Sequence, residues 1–149
     1  MTLRIGIASD HAGFDLKEAL ATHLLGRDDV TVLNLGPESA TRCDYPDYAA
    51  AVARAIKSGD CDRGVLVCGS GIGISIAANR FPGIRAALAH NATTARLSRE
   101  HNNANVLCLG SRLIGDVIAT EAVDAFISGQ FAGGRHADRL AKIDALEVD

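Results

Sequence analysis

The chain has 149 residues, of which 48% are hydrophobic and 4% aromatic, and its formal net charge is −3. That is enough apolar chain for one domain with a full core, and too little basic or aromatic character for a nucleic-acid partner. No apolar run reaches the roughly eighteen residues of a membrane span, and the first residues read as a strand rather than a signal peptide, so no membrane role is expected.

Leu3 to Ala8 reads as a strand, and Ala12 to Leu25 as a helix with Leu16, Leu20 and Leu24 on one stripe. Val30 to Leu35 forms a second strand, stopped by Gly36-Pro37. Pro46 to Ser58 reads as a helix with Pro46 suited to its first turn. Arg63 to Cys68 is a third strand with a continuous apolar core, and Ile72 to Arg80 a helix. Ile84 to Ala89 is a strand, Ala92 to His101 a helix, and Val106 to Leu109 a strand. Asp116 to Ser128 and Ala137 to Leu146 are helices, joined by a glycine-containing connection.

This alternation predicts an α/β fold: a three-layer α/β/α sandwich around a five-stranded parallel, Rossmann-like sheet, in a single domain spanning 1–149. It leaves the strand order open between 2-1-3-4-5 and a version with the last two strands exchanged. Ligands of such folds sit at the carboxyl ends of the strands. Polar residues collect there: Ser9-Asp10-His11, Cys68-Gly-Ser70-Gly, His90-Asn91, Gly110-Ser111-Arg112, and Asp44-Tyr45 in the loop after the second strand.

Between Cys68 and Ile74 the chain breaks on Gly69, Gly71 and Gly73 before it becomes helical. Glycines let a ligand approach the backbone, and the first amides of a helix favour an anion. The spacing is not the dinucleotide fingerprint, because the third glycine comes one position early and no acid follows near Asn91. Nor does a Gly-Lys-Ser/Thr follow, as a P-loop requires. Two readings stand: a cradle for a phosphate, carboxylate or oxyanion, or a tight turn that merely packs.

The four cysteines, at positions 43, 61, 68 and 108, show no C-x-x-C pair and no His/Cys ligand spacing. A structural zinc site is not expected, and a reduced cytoplasmic protein is the simplest reading.

Several separated motifs occur together: Asp10-His11-Ala-Gly-Phe, Asp44-Tyr45-Pro46, the run from Val67 to Asn79, Ser98-Arg-Glu-His101-Asn102, Asn105-Val-Leu, Gly110-Ser-Arg112, and Gly133-Gly-Arg135-His136 with Arg139. In this order they resemble the ribose-5-phosphate isomerase B family, grouped with the galactose-6-phosphate and allose-6-phosphate isomerases. The resemblance runs from Ile5 to about Ile143. It implies an aldose–ketose isomerase without cofactor or metal, acting on a phosphorylated sugar. It also implies a homodimer or dimer of dimers with shared active sites, a C-terminal helix that reaches the partner subunit, and the exchanged order of the last two strands.

The same resemblance assigns roles. Cys68 is the base that removes the C2 proton, and a helix N-terminus is a setting that favours a thiolate. By position alone it reads equally as a small apolar residue ending a strand. The amides from Gly69 to Ile74, those of Gly71, Ile72 and Gly73 included, are the candidates to face the enediolate, and Ser70 passes a proton between O1 and O2. His101 opens the sugar ring with Asn102 beside it, though a histidine ending a helix is also a favourable dipole partner. Asp10 assists as a partner of the sugar or of a histidine. Tyr45 walls the sugar pocket. His11, Arg112, Arg135 and Arg139 are phosphate candidates, the last two spaced to share a helix face.

Ribose 5-phosphate is the expected substrate; allose 6-phosphate, galactose 6-phosphate or a tetrose phosphate are alternatives within the same chemistry. A non-catalytic nucleotide- or phosphate-binding module would need the glycine loop and arginines, but neither Cys68 nor His101. A redox thiol protein is the third reading, without a resolving cysteine nearby in sequence.

Overall fold

The structure is a computed structural model, and it describes residues 2–146. Five parallel strands, β1 (Leu3–Ser9), β2 (Val30–Asn34), β3 (Arg63–Cys68), β4 (Ala86–Leu88) and β5 (Val106–Gly110), form one sheet in the order β2-β1-β3-β5-β4. The exchange of the last two strands is therefore present. Six helices accompany them: α1 (Phe14–Leu25), α2 (Tyr45–Ser58), α3 (Ile72–Ala78), α4 (Ala92–Asn102), α5 (Asp116–Ser128) and α6 (Arg135–Asp144).

The sheet is buried on both faces because its central strands carry apolar residues on both sides along their inner positions. On one face Ile5, Ile7, Val65, Val67, Leu107 and Leu109 pack against Leu16, Leu20 and Leu24 of α1, Ala95 of α4, and Ala122, Val123 and Phe126 of α5. On the other, Ala8, Leu66, Cys68, Val106 and Cys108 pack against Ala49, Val52 and Ala53 of α2 and Ile74 and Ala78 of α3. This is the three-layer sandwich that the alternation predicts. Among the described residues, no helix is long and apolar enough to cross a membrane.

The departures from the predicted boundaries have local causes. α1 starts at Phe14, not Ala12, because the carboxylate of Asp10 accepts the Gly13 N–H at 2.9 Å and holds a turn there. α3 stops at Ala78 and β4 shrinks to Ala86–Leu88 for one shared reason. The Asn79 amide accepts from Ala86 N–H at 2.8 Å and donates to Ala86 O at 3.0 Å. A side chain thus occupies the free edge of the outer strand, a device that blocks edge pairing. α6 begins two residues early, at Arg135, after Gly133 and Gly134 turn the chain with positive φ of 67° and 56°.

Candidate active site

β1 and β3 deliver the first residues. Asp10 follows β1, with its N–H bonded to Val67 O at 3.1 Å and its side chain buried. The next residue, His11, places Nδ1 within 3.0 Å of Cys43 O and 3.2 Å of Cys43 N. Either tautomer is therefore pinned by the loop before α2, and Nε2 is left for a ligand.

Cys68 ends β3 and is 4% exposed. Its Sγ accepts the N–H of Gly71 at 3.1 Å, which fixes the sulfur against the start of the glycine loop. Gly71 makes this possible by adopting φ +77°, where an L side chain would be strained. The hydroxyl of Ser70 accepts the Ile72 N–H at 3.2 Å, which leaves its own proton to donate.

Two of the amides expected to face a ligand are thus committed inside the loop: Gly71 to the thiol and Ile72 to the serine. The amides of Gly69, Ser70, Gly73 and Ile74 have no partner among the described residues. Of these, Gly69, Ser70 and Gly73 line the open part of the cradle, at the start of α3, where the helix dipole favours negative charge, and Ile74 is wholly buried.

Two glycines are explained by what lies over them. A Cβ on Gly69 would fall 3.1 Å from Nη1 of Arg112, so the guanidinium lies across the loop backbone. A Cβ on Gly73 would fall 2.7 Å from Cζ of Tyr45 and 3.0 Å from its hydroxyl. Tyr45 and Arg112 therefore flank the loop at van der Waals distance. Arg112 is exposed and forms no ion pair among the described residues.

Asp10, Tyr45, Cys68, Gly69, Ser70, Ile72, Gly73 and Arg112 line one cavity of about 520 Å³. Leu113, which sequence reasoning missed, lines it too; an exposed leucine after an arginine carries no chemical signal. A larger cavity of about 720 Å³ lies beside Asn34, Pro37 and Tyr48. It holds the carboxylates of Glu18 and Glu38 and none of the predicted base, acid or anion-holding groups, so the smaller cavity is the candidate site. No group of three or more His, Cys, Asp or Glu side chains among the described residues is arranged to hold a metal.

The remaining predicted residues are elsewhere. α4 starts beyond the carboxyl end of β4 and runs back along the sheet for 11 residues, a rise of about 16 Å. Its end carries His101 and Asn102 to the amino end of the strands, just before β5 begins. α5 makes the same return, so α6 with Arg135 and Arg139 also starts at that end of the sheet. There the His101 ring stacks on His136, with centroids 4.4 Å apart and planes at 13°. Within one chain the structure thus assembles two separate groups: Cys68 with the glycine loop, Asp10, Tyr45 and Arg112, and His101 with Asn102, Arg135, His136 and Arg139; His11 follows Asp10 and sits on the Cys43 backbone, outside the cavity lining.

A thiol among the β3 and β5 residues on the same face contrasts with Cys68. Cys108 is wholly buried, and burial first, then the neighbouring Cys68, push its pKa well up.

The sequence matches the ribose/galactose isomerase family over residues 5–143. It is 47% identical to ribose-5-phosphate isomerase B of Escherichia coli, over 97% of this chain and 96% of that one. A ribose 5-phosphate isomerase of Thermotoga maritima is 51% identical and superposes with a TM-score of 0.94, over 98% of this chain and 100% of that one. Ribose-5-phosphate isomerase B of Mycoplasma genitalium, solved with bound ribulose-5-phosphate, is 44% identical with a TM-score of 0.90, over 97% and 95% of the two chains.

Proposed function

The chain belongs to the ribose/galactose isomerase family, and we propose that it interconverts ribose 5-phosphate and ribulose 5-phosphate with Cys68 as its base. It is an aldose–ketose isomerase, an intramolecular oxidoreductase: hydrogen leaves C2 and returns at C1 as a proton, and the electrons stay in the sugar.

The observation that carries the assignment of the base is the contact between Gly71 N–H and Cys68 Sγ at 3.1 Å, at the edge of a cavity lined by open amides. Cys68 takes the C2 proton of the open-chain aldose. The developing cis-enediolate carries its charge on O1 and O2, against the amides of Gly69, Ser70 and Gly73. Preorganised donors of this kind act in the transition state without reorganisation. The Ser70 hydroxyl moves the proton between O1 and O2, and Cys68 returns its proton to C1. Asp10 has one carboxylate oxygen on Gly13 N–H, and its other oxygen serves a sugar hydroxyl. Tyr45 closes the pocket wall.

Ring opening and phosphate binding need groups that one chain holds at the far end of its sheet. Two copies supply them: His101 of the partner subunit opens the ring, with Asn102 of the partner subunit holding the sugar. The phosphate lies on His11 and Arg112 of one copy and on Arg135 and Arg139 of the partner subunit, carried there by α6. Both arginines are exposed, and α6 begins at Arg135, so the pair shares one face. The whole chain acts as one isomerase domain in a homodimer or a dimer of dimers. A free thiol base suits a reducing, cytoplasmic setting.

A turnover panel over four-, five- and six-carbon aldose phosphates tests the substrate, with Cys68→Ala as control. Fastest turnover with ribose 5-phosphate, cut to about 1% or less in Cys68→Ala, is the expected result; full turnover in Cys68→Ala overturns the assignment of the base.

A further inference from the structure

Two guanidiniums sit within the fold without a carboxylate partner among the described residues, and the reaction uses neither. Arg99, two residues before His101 on α4, is 6% exposed. Its Nη1 donates to Asn103 Oδ1 at 2.9 Å and to Ala104 O at 2.6 Å, and its Nε to Gly129 O at 3.4 Å. Arg63, half-buried at the start of β3, donates from Nη1 to Phe126 O at 2.9 Å and Ile127 O at 3.0 Å.

The pair carries a cost. Burial, and then repulsion from Arg63, lower the pKa of Arg99 to about 10. An apolar side chain of similar length would fill the same space without burying a charge. What arginine adds is reach: its planar fork bonds acceptors on two segments at once, at helix ends whose carbonyls favour cations. One segment is the end of α4; the other is the connection from α5 to α6.

That connection is also held by packing. A Cβ on Gly129 would fall 2.8 Å from Cβ of Arg99 and 3.1 Å from its Cγ, so the chain crosses directly over the arginine stem. Three residues on, Ala132 N–H donates to Glu100 O at 3.0 Å. The connection then turns at Gly133 and Gly134 and delivers Arg135 and His136, the latter onto the ring of His101.

We propose that Arg99 is a positioning residue for this half of the active site: it ties the end of α4 to the α5–α6 connection, so that His101, His136 and Arg135 move as one unit. The proposal rests on the reading of His101 as the ring-opening group only for its effect on turnover. Its geometric content stands apart from that reading.

The test compares Arg99→Met and Arg99→Lys with Arg63→Met, which removes a guanidinium from the α5 end without touching α4. Arg99→Met is expected to lower kcat by about 10- to 100-fold, the scale of a displaced catalytic group, with Arg99→Lys between it and the parent. Arg63→Met is expected to lose thermal stability yet keep kcat within about twofold. The ring resonances of His101 and His136, read by NMR, shift or broaden in both Arg99 variants and stay in place in Arg63→Met. Unmoved resonances in Arg99→Lys overturn the proposal, whatever the turnover, and that variant decides alone if Arg99→Met does not fold. A His101→Asn variant that keeps turnover removes His101 from ring opening, while the resonances still decide the role of Arg99.

Discussion

The rings of His101 and His136 lie flat on one another, 4.4 Å between centroids, with His101 exposed and His136 buried beneath it. Two stacked imidazoles do not both carry charge readily. Burial lowers the pKa of His136, and His101, Arg135 and Arg139 add to that effect. His136 is therefore held toward its neutral form beneath the ring of His101.

Folding stability should respond to this in one direction. The folded pKa of His136 lies below its unfolded value of about 6.5, so as pH falls through that value the unfolded chain takes up the proton first. Stability is full above about pH 6.5 and declines below it, down to the folded pKa. Thermal midpoints measured from about pH 7.5 to pH 5 should fall for the parent chain and fall less steeply for His136→Phe, which keeps a stacking ring without a titrating group. Equal slopes would remove His136 as the source.

The separation of Cys68 from His101 makes a sharper prediction about the assembly. Cys68→Ala and His101→Asn should each keep about 1% of activity or less. In a mixed dimer, one site collects both defects and the other collects neither. Unfolding and refolding an equal mixture should restore about a quarter of parental activity, from random pairing of copies. If each site were built within one chain, every site in the mixture would keep a defect and activity would stay at that of the variants.

These two halves were unequally legible in the sequence. Cys68, Ser70 and the loop amides lie on consecutive residues, so the strand–glycine–helix pattern alone brings them to the carboxyl end of β3. Asp10 and Arg112 follow other strands and reach the same end by the same rule. His101 is different. Motif resemblance picks out the residue, but its place is set by the length of α4, which carries it back across the sheet. The stack with His136 lies further out of reach, because it depends on two glycine turns and on tertiary bonds from Arg99. Likewise, alternation of strands and helices carries no information on whether β4 or β5 pairs with β3; non-local pairing decides that.

Cys68 and Cys108 should separate cleanly by reactivity. Cys68 lines the cavity, whereas Cys108 is wholly buried and its pKa is raised. Iodoacetamide should alkylate Cys68 in the folded protein with parallel loss of activity, and peptide mapping should find Cys108 unmodified. Cys68→Ala should lower kcat by about 10²- to 10⁴-fold, the range for loss of a general base. Cys108→Ala should leave turnover intact while destabilising the fold by about 1 kcal/mol through lost packing.

Gly73 and Tyr45 should behave as one unit. A methyl group at position 73 would fall 2.7 Å from Cζ of Tyr45, too close for the ring to stay where it walls the pocket. Tyr45 is 38% exposed, so the ring has room to swing outward and the fold should survive Gly73→Ala. The expected result is a KM several-fold higher with thermal stability nearly unchanged. Tyr45→Ala alone should raise KM by a similar amount, because it removes the same wall. The double variant should then be little worse than either single one, a coupling of about 1 kcal/mol in a double-mutant cycle on kcat/KM. Additive losses would mean that Gly73 contributes through its amide on the enediolate and not through the space it leaves for Tyr45.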